Sequence, residues 1–178
     1  MPELLPVLDQ EAIEKLIDET ARRISADYAG RQLVLIGVLK GAFIFLADLV
    51  RRLTIPVIID FVGASSYGGQ TVSCGQVCLT REIGVDVTDQ DVLIVEDIVD
   101  TGQTLAFLVA HIRSLGARSV NVCTLLDKRA RRKVEVAVPY CCYTAPDAFL
   151  VGYGLDFDER YRQLPGIYRL KFNSEGAP

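Results

Sequence analysis

The stretch from Val92 to Leu105 concentrates the side chains that could do chemistry. An apolar run, Val92-Leu93-Ile94-Val95, delivers two adjacent carboxylates, Glu96 and Asp97. A third acid, Asp100, follows, and Thr101-Gly102-Gln103-Thr104 then opens a segment with helical spacing. Backbone N–H groups at the start of a helix have no intrahelical acceptor. With two hydroxyls beside them and Gly102 allowing close approach, they form a cradle for phosphate. Adjacent carboxylates repel a bare phosphate but suit sugar hydroxyls or a hydrated divalent cation. The segment therefore points to a ligand with a phosphate at one end, a ribose beside it and magnesium nearby. Singly, Asp100 and Thr101 could be helix caps and the two acids a strand end; their coincidence in fourteen contiguous residues argues for a site. Neither a Walker loop nor a GxGxxG fingerprint occurs, so those nucleotide-binding explanations do not compete.

The elements that must position this segment are legible from periodicity. Asp9 is placed as the N-cap of a helix in which Ile13, Leu16, Ile17, Ala21 and Ile24 recur at helical spacing and which Gly30 closes. Leu33–Val38, Val92–Val95 and Val120–Leu126 are short apolar runs of the kind buried on both faces of a parallel sheet. Val57–Val62 is a further strand. Helices are predicted over 41–53 and 103–115, the latter ended by Gly116. The run 76–81 has period two, and 140–144, 149–151 and 167–172 are weaker strands. Residues 63–75 hold four glycines and three serines around Tyr67 and read as a long mobile loop. Strands alternating with helices imply an α/β fold with a mostly parallel central sheet flanked by helices. Ligands of such sheets bind outside the carboxyl ends of the strands.

Composition bounds the function classes. The chain has 178 residues, the size of one domain. With 19 basic against 23 acidic residues the net charge is -4, the opposite of a general nucleic-acid binder. His111, the single histidine, excludes histidine-rich metal sites and is read as a packing or surface residue. No apolar run reaches the ~20 residues that span a bilayer, and no signal peptide is expected. The five cysteines (Cys74, Cys78, Cys123, Cys141, Cys142) include no CxxC pair and are read as free thiols in a reducing cytoplasm.

On these residues the sequence resembles the type I phosphoribosyltransferases, and within them the hypoxanthine-guanine phosphoribosyltransferases of purine salvage. The resemblance covers about residues 5–172. It rests on Leu39-Lys40-Gly41, Ser65-Ser66-Tyr67, the Glu96–Thr104 loop, Leu126-Asp127-Lys128-Arg129, the run Phe149 to Asp156, and Arg162. It implies the type I fold: a core at about 30–145, a small hood formed by N- and C-terminal segments, and a flexible lid at 63–75.

The implied roles fall on particular residues. Asp100, Thr101, Gly102, Gln103 and Thr104 would hold the 5-phosphate of phosphoribosyl pyrophosphate. Glu96 and Asp97 would face the ribose and, with Asp156, magnesium. Asp100 would be the general base beside N7 of the purine. Lys40, Gly41 and Arg162 would contact pyrophosphate. Lys128 would donate to O6 of the base, Phe149 would stack on it, and Leu150 and Asp156 would lie at its edge. Ser66 and Tyr67 belong to the lid. Arg131, Arg132 and Lys133 are read as solvated surface. The implied enzyme joins the phosphoribosyl group to hypoxanthine or guanine, with Mg2+ as cofactor, as a homo-dimer or homo-tetramer without membrane or nucleic-acid partners. Two alternatives stand beside it: a phosphoribosyltransferase preferring xanthine or another base, and a nucleic-acid-binding regulator that senses phosphoribosyl pyrophosphate.

Overall fold

Two-sided burial organises the molecule, a computed structural model that describes residues 2–66 and 77–171. In chain order the elements are β1 (Glu3–Leu8), α1 (Gln10–Asp27), β2 (Leu33–Leu39), α2 (Phe43–Val50), β3 (Val57–Ser66), β4 (Val77–Arg81), β5 (Asp91–Val99), α3 (Gln103–Ser114), β6 (Ser119–Asp127), β7 (Tyr140–Thr144), β8 (Leu150–Val151) and β9 (Ile167–Lys171). The central sheet runs β4-β3-β2-β5-β6-β7. All its pairs are parallel except β3 with the edge strand β4.

Alternation along the apolar strands feeds two cores. Leu33, Leu35, Leu93 and Val95 pack with Ile13, Ile17 and Ile24 of α1 and with Phe45 and Leu49 of α2. Val34, Ile36, Val92 and Ile94 pack on the other face with Leu105, Leu108 and Ile112 of α3. Fully burying each such side chain is worth roughly 1.5–3 kcal/mol, so β2 and β5 are the most firmly anchored strands. They are also the two whose ends carry the polar motifs. The Asp9 side chain caps α1 as anticipated, accepting from the Ala12 N–H at 2.8 Å. His111 lies on α3, stacked on Phe107.

Several boundaries differ from the sequence reading. The strand β1 was not anticipated, because Glu3–Leu8 does not alternate and contains Pro6. It is tolerated as an edge strand beside β9, with its register shifted between Pro6 and Leu8. With β8 it completes a separate antiparallel sheet, β1-β9-β8. The strand β3 continues through Gly63–Ser66, where β4 pairs with it, so the first four residues assigned to the loop are strand. The helix α2 is shorter than 41–53. The strand β5 runs on through Glu96 and Asp97 to Val99, so those acids lie within the strand. Tyr67, Cys74 and Phe172 fall outside the described residues. Among the described residues, no helix is long and apolar enough to cross a membrane.

The amino ends of the central strands are clamped by charge. Asp91, buried at the start of β5, accepts from Arg118 Nη2 at 2.6 Å and Ser119 Oγ at 2.6 Å, and pairs with Arg31 at 3.3 Å. The Arg118 hydrogen bonds hold its carboxyl down at about 2, with burial opposing them. A depressed carboxylate pKa contributes stability that is full above the unfolded value and is lost as pH falls through the folded one. Asp91→Asn is therefore expected to cost about 2 kcal/mol at neutral pH. The difference from the parent should shrink between pH 3.8 and about 2. Urea unfolding across that range checks both statements.

Candidate active site

The strand order reverses between β2 and β5, and there the sheet opens. Pairing of β2 with β3 continues to Leu39 opposite Gly63, whereas its pairing with β5 ends at Gly37 opposite Val95. The strand β5 then stays with β6 as far as Val99 opposite Asp127. The crevice between the diverging carboxyl ends is where open α/β sheets bind ligands. It holds a pocket of about 220 Å³. Leu39 lines it from β2 and Gly41 from the turn that follows, Glu96 and Asp97 from β5, and Asp100, Thr101, Gly102 and Thr104 from the loop into α3 and its first turn.

The two adjacent acids face this pocket from different depths. Glu96 is buried and Asp97 half-buried. The Asp97 N–H donates to Glu96 Oε1 at 3.2 Å, and the Ile98 N–H donates to Asp97 Oδ1 at 2.8 Å. Burial, reinforced by the neighbouring Asp97 charge, pushes Glu96 well above the usual carboxylate range. Burial also raises Asp97, with the Glu96 hydrogen bond opposing. Two carboxyl groups this close resist carrying two charges. A side chain at residue 41 would overlap the Asp97 carboxylate, and one at Gly154 would overlap the Gly41 carbonyl. The Leu39–Lys40 peptide is cis, and Gly154 has φ 98°. Three segments thus meet backbone to carboxylate at the crevice.

The loop into α3 is backed by the chain after β6. Thr101 C=O accepts from the N–H groups of Lys133 at 2.9 Å and Val134 at 3.0 Å. Gly102 adopts φ 85°, and a Cβ there would sit 2.6 Å from the Val134 carbonyl. Glycine is needed for both reasons, conformation and space. The first turn of α3 begins at Gln103 and carries the outward-facing N–H groups of a helix start. Gln103 itself is exposed and does not line the pocket. In the basic run after β6, Lys133 is exposed as expected and Arg131 is exposed but engaged, whereas Arg132 is not solvated surface, which corrects the sequence reading for that residue. Arg131 Nε donates to Asp100 Oδ1 at 2.7 Å, and Arg132 pairs with the buried Asp127. These partners lie about 30 residues away or within a strand end, so a local reading of Arg131-Arg132-Lys133 could not find them.

Lys128 sits at the end of β6, its N–H donating to the Val99 carbonyl at 2.9 Å. That bond sets it beside Asp100. Burial draws the Lys128 ammonium below its ordinary pKa, and the Asp100 carboxylate opposes this. Phe149 is exposed, with its ring edge-on to Phe157 at 5.3 Å. Leu150 is buried in β8, opposite Arg169 of β9. Its side chain belongs to the core, so any contact with a base at this residue falls to the backbone. Ser66 ends β3, and Tyr67 lies outside the described residues.

Lys40, Asp156 and Arg162 form a second cluster on the far side of Gly41. Arg162 Nη1 donates to the Gly154 carbonyl at 2.7 Å, and its Nη2 pairs with Asp156 Oδ1 at 2.8 Å. Glu159, which the sequence reading passed over, joins them. An acid in an exposed turn carries no signal of its own. The expected metal set of Glu96, Asp97 and Asp156 is not gathered: no group of three or more such ligands occurs among the described residues, and Asp156 is committed to Arg162. Glu96 and Asp97 alone are hard oxygen donors beside a phosphate cradle. That suits Mg2+, which takes one or two carboxylates and completes its shell with water and substrate phosphates.

With this geometry in view, comparison with known proteins is informative. The model of the phosphoribosyl transferase domain matches residues 5–158. The hypoxanthine-guanine phosphoribosyltransferase of Bacillus subtilis is 42% identical over 165 residues, 93% of this chain and 92% of that protein. A bifunctional TilS/HprT protein of Listeria monocytogenes is 43% identical over the same share of this chain, which spans only 26% of that longer relative. A crystal structure of a hypoxanthine-guanine phosphoribosyltransferase from Bacillus anthracis superposes with a TM-score of 0.89 at 40% identity, covering 96% of this chain and 99% of that one.

The raised Glu96 generates a prediction on stability. A carboxyl whose pKa is raised by folding contributes fully below its unfolded value, and the contribution is lost as pH rises through the raised one. Glu96→Gln should remove that slope. As pH rises above the ordinary glutamate range the parent should lose stability relative to the variant, read by urea unfolding. Parallel pH profiles would overturn the raised Glu96 carboxyl.

Proposed function

Because the chain belongs to the phosphoribosyl transferase family, we propose that it is a purine-salvage enzyme. It transfers the 5-phosphoribosyl group from phosphoribosyl pyrophosphate to N9 of hypoxanthine or guanine, giving IMP or GMP and pyrophosphate. The observation that carries this reading is Lys128 beside Asp100, next to the loop that starts α3. Lysine only donates hydrogen bonds. At a purine's 6-position it accepts a carbonyl and rejects the amino group of adenine. Asp100, held by Arg131, faces the N7 side of the same base. Asp100, Thr101, Gly102, Gln103 and Thr104 bind the 5-phosphate, Gln103 through its backbone alone. Phe149 stacks on the purine, with Leu150 and Asp156 at its edge.

The step breaks the bond from C1 of the ribose to pyrophosphate and forms the bond from C1 to N9. The electron pair leaves with pyrophosphate, and the proton displaced from the purine goes to Asp100. Lys40, the Gly41 backbone and Arg162 stabilise the leaving group by charge and hydrogen bonding. Glu96 and Asp97 face the ribose hydroxyls and would hold a divalent cation through their carboxylate oxygens. Held there, Mg2+ would supply further positive charge for the departing pyrophosphate. We assign a core over about 30–145 and a hood contributed by both ends of the chain, and the lid expected around Ser66 and Tyr67 would close over the base and exclude water. We place the enzyme in the cytoplasm as a homo-dimer or homo-tetramer. Exposed Phe43, Ile58 and Ile59 support association.

The direct test offers the protein magnesium, phosphoribosyl pyrophosphate and one base at a time. IMP and GMP should form, while adenine and uracil give no product; no product with any base overturns the reading. Asp100→Ala should lower kcat by about 10²–10⁴-fold while phosphoribosyl pyrophosphate still binds. Unchanged turnover would reassign the base. Lys128→Ala should raise KM for hypoxanthine and narrow the gap to adenine, and an unaltered base preference would remove its role.

A further inference from the structure

Lys40 and Arg162, the two cations assigned above to pyrophosphate, are already gathered by one anion. Glu159 Oε2 lies 3.0 Å from Lys40 Nζ and 3.4 Å from Arg162 Nη2. A single oxygen therefore bridges two residues that stand 122 positions apart in the chain, one from each wall of the crevice. Asp156 does not compete for this place. Its Oδ1 takes Arg162 at 2.8 Å, and its Oδ2 accepts the Glu159 N–H at 2.9 Å.

The backbone at Glu159 has no local reason to carry glutamate. Asp158 and Glu159 form a two-residue turn between Phe157 and Arg160, which bond to each other in both directions at 3.2 and 3.1 Å. Both turn residues have positive φ, 54° and 58°. Such turns favour Asn and Gly. What residue 159 supplies in return is its carboxylate. The Lys40 and Arg162 hydrogen bonds keep it below the usual carboxylate range, so it is an anion at neutral pH. The bridge is also easy to exchange. The Lys40 and Glu159 side chains are 67% and 64% exposed, and exposed pairs are weak and screened. A polyanionic ligand presenting several oxygens outcompetes a single carboxylate for the same two cations.

Resting on the assignment of Lys40 and Arg162 to pyrophosphate, we propose that Glu159 is a built-in stand-in for that group. Its carboxylate holds the two cations together in the free protein and is displaced by the pyrophosphate of the substrate. On product release it returns to its place and competes the leaving pyrophosphate off. Glu159 thereby sets the affinity for pyrophosphate-bearing ligands without touching the purine.

The test uses Glu159→Gln, which removes the charge, and Glu159→Gly, which also suits the turn. Inorganic pyrophosphate binding is measured by titration calorimetry, and KM for phosphoribosyl pyrophosphate and for hypoxanthine by initial rates. Both variants should bind pyrophosphate and phosphoribosyl pyrophosphate about three- to tenfold more tightly. The KM for hypoxanthine should stay unchanged. Glu159→Gly should unfold at the parent's temperature or above it, which separates this effect from misfolding. Unchanged or weaker pyrophosphate binding in both variants overturns the stand-in role. Lys40→Ala and Arg162→Ala serve as the reference. If neither weakens pyrophosphate binding, the assignment of the two cations fails and the proposal falls with it; if they do and the Glu159 variants do not tighten it, only the stand-in role fails.

Discussion

The Asp97 carboxylate occupies the volume that a side chain at residue 41 would need, and the Gly41 carbonyl occupies the volume that a side chain at residue 154 would need. This double exclusion fixes the relation of three distant segments: the end of β5, the turn after β2 and the loop after β8. Each segment is delivered by a different part of the fold. The strands β2 and β5 arrive as neighbours buried on both faces, so their positions are rigid. The third segment is tied down by Arg162, whose guanidinium donates to the Gly154 carbonyl while the Gly154 N–H donates back to the Arg162 carbonyl. Tyr153 extends the same tie by donating to Asp48 on α2. A crevice at a strand reversal is generic to open α/β sheets. Here the crevice is closed by backbone packed directly on a carboxylate.

Charge is distributed along the strand direction with opposite logic at the two ends. At the amino ends, Asp91 is surrounded by Arg118, Arg31 and Ser119 and is fully compensated. That arrangement serves stability alone. At the carboxyl ends, the Glu96–Asp97 pair is under-compensated, which burial makes costly. The arginines close by are spoken for: Arg131 by Asp100, Arg132 by Asp127, and Arg162 by Asp156 and Glu159. The ligand end of the sheet thus carries strong local charges in a standing arrangement that a ligand must rearrange.

Much of this was legible in the sequence because it is local. The apolar runs, the Asp9 cap and the Glu96–Thr104 motif each depend on residues within a few positions of one another. The missed features depend on partners far along the chain. The strand β1 exists only because β9 pairs with it, despite Pro6. The continuation of β3 through Gly63–Ser66 exists only because β4 lies beside it. Arg131 looks like plain surface until the fold sets Asp100, 31 positions away, against it. Glu159 gains a meaning only when Lys40 and Arg162 converge on it. Composition near a turn says nothing of that convergence. Leu150 shows the converse: its motif was readable, while the direction of its side chain, into the core, was set by the register of β8 on β9.

The Thr101 carbonyl accepts from two successive N–H groups of the chain that follows β6. The peptide that shapes the start of α3 is therefore pinned to the segment that leads on from Lys128. Neither can be ordered or shifted alone. Free energy spent in stiffening one is recovered in part when the other is engaged, and by thermodynamic reciprocity the effect has the same size in both directions. Any group that ordered the helix start would therefore also order the segment that leads on from Lys128, through two backbone hydrogen bonds rather than through any side chain. Substitution of the exposed residues of that segment would leave the coupling intact, because the main chain carries it.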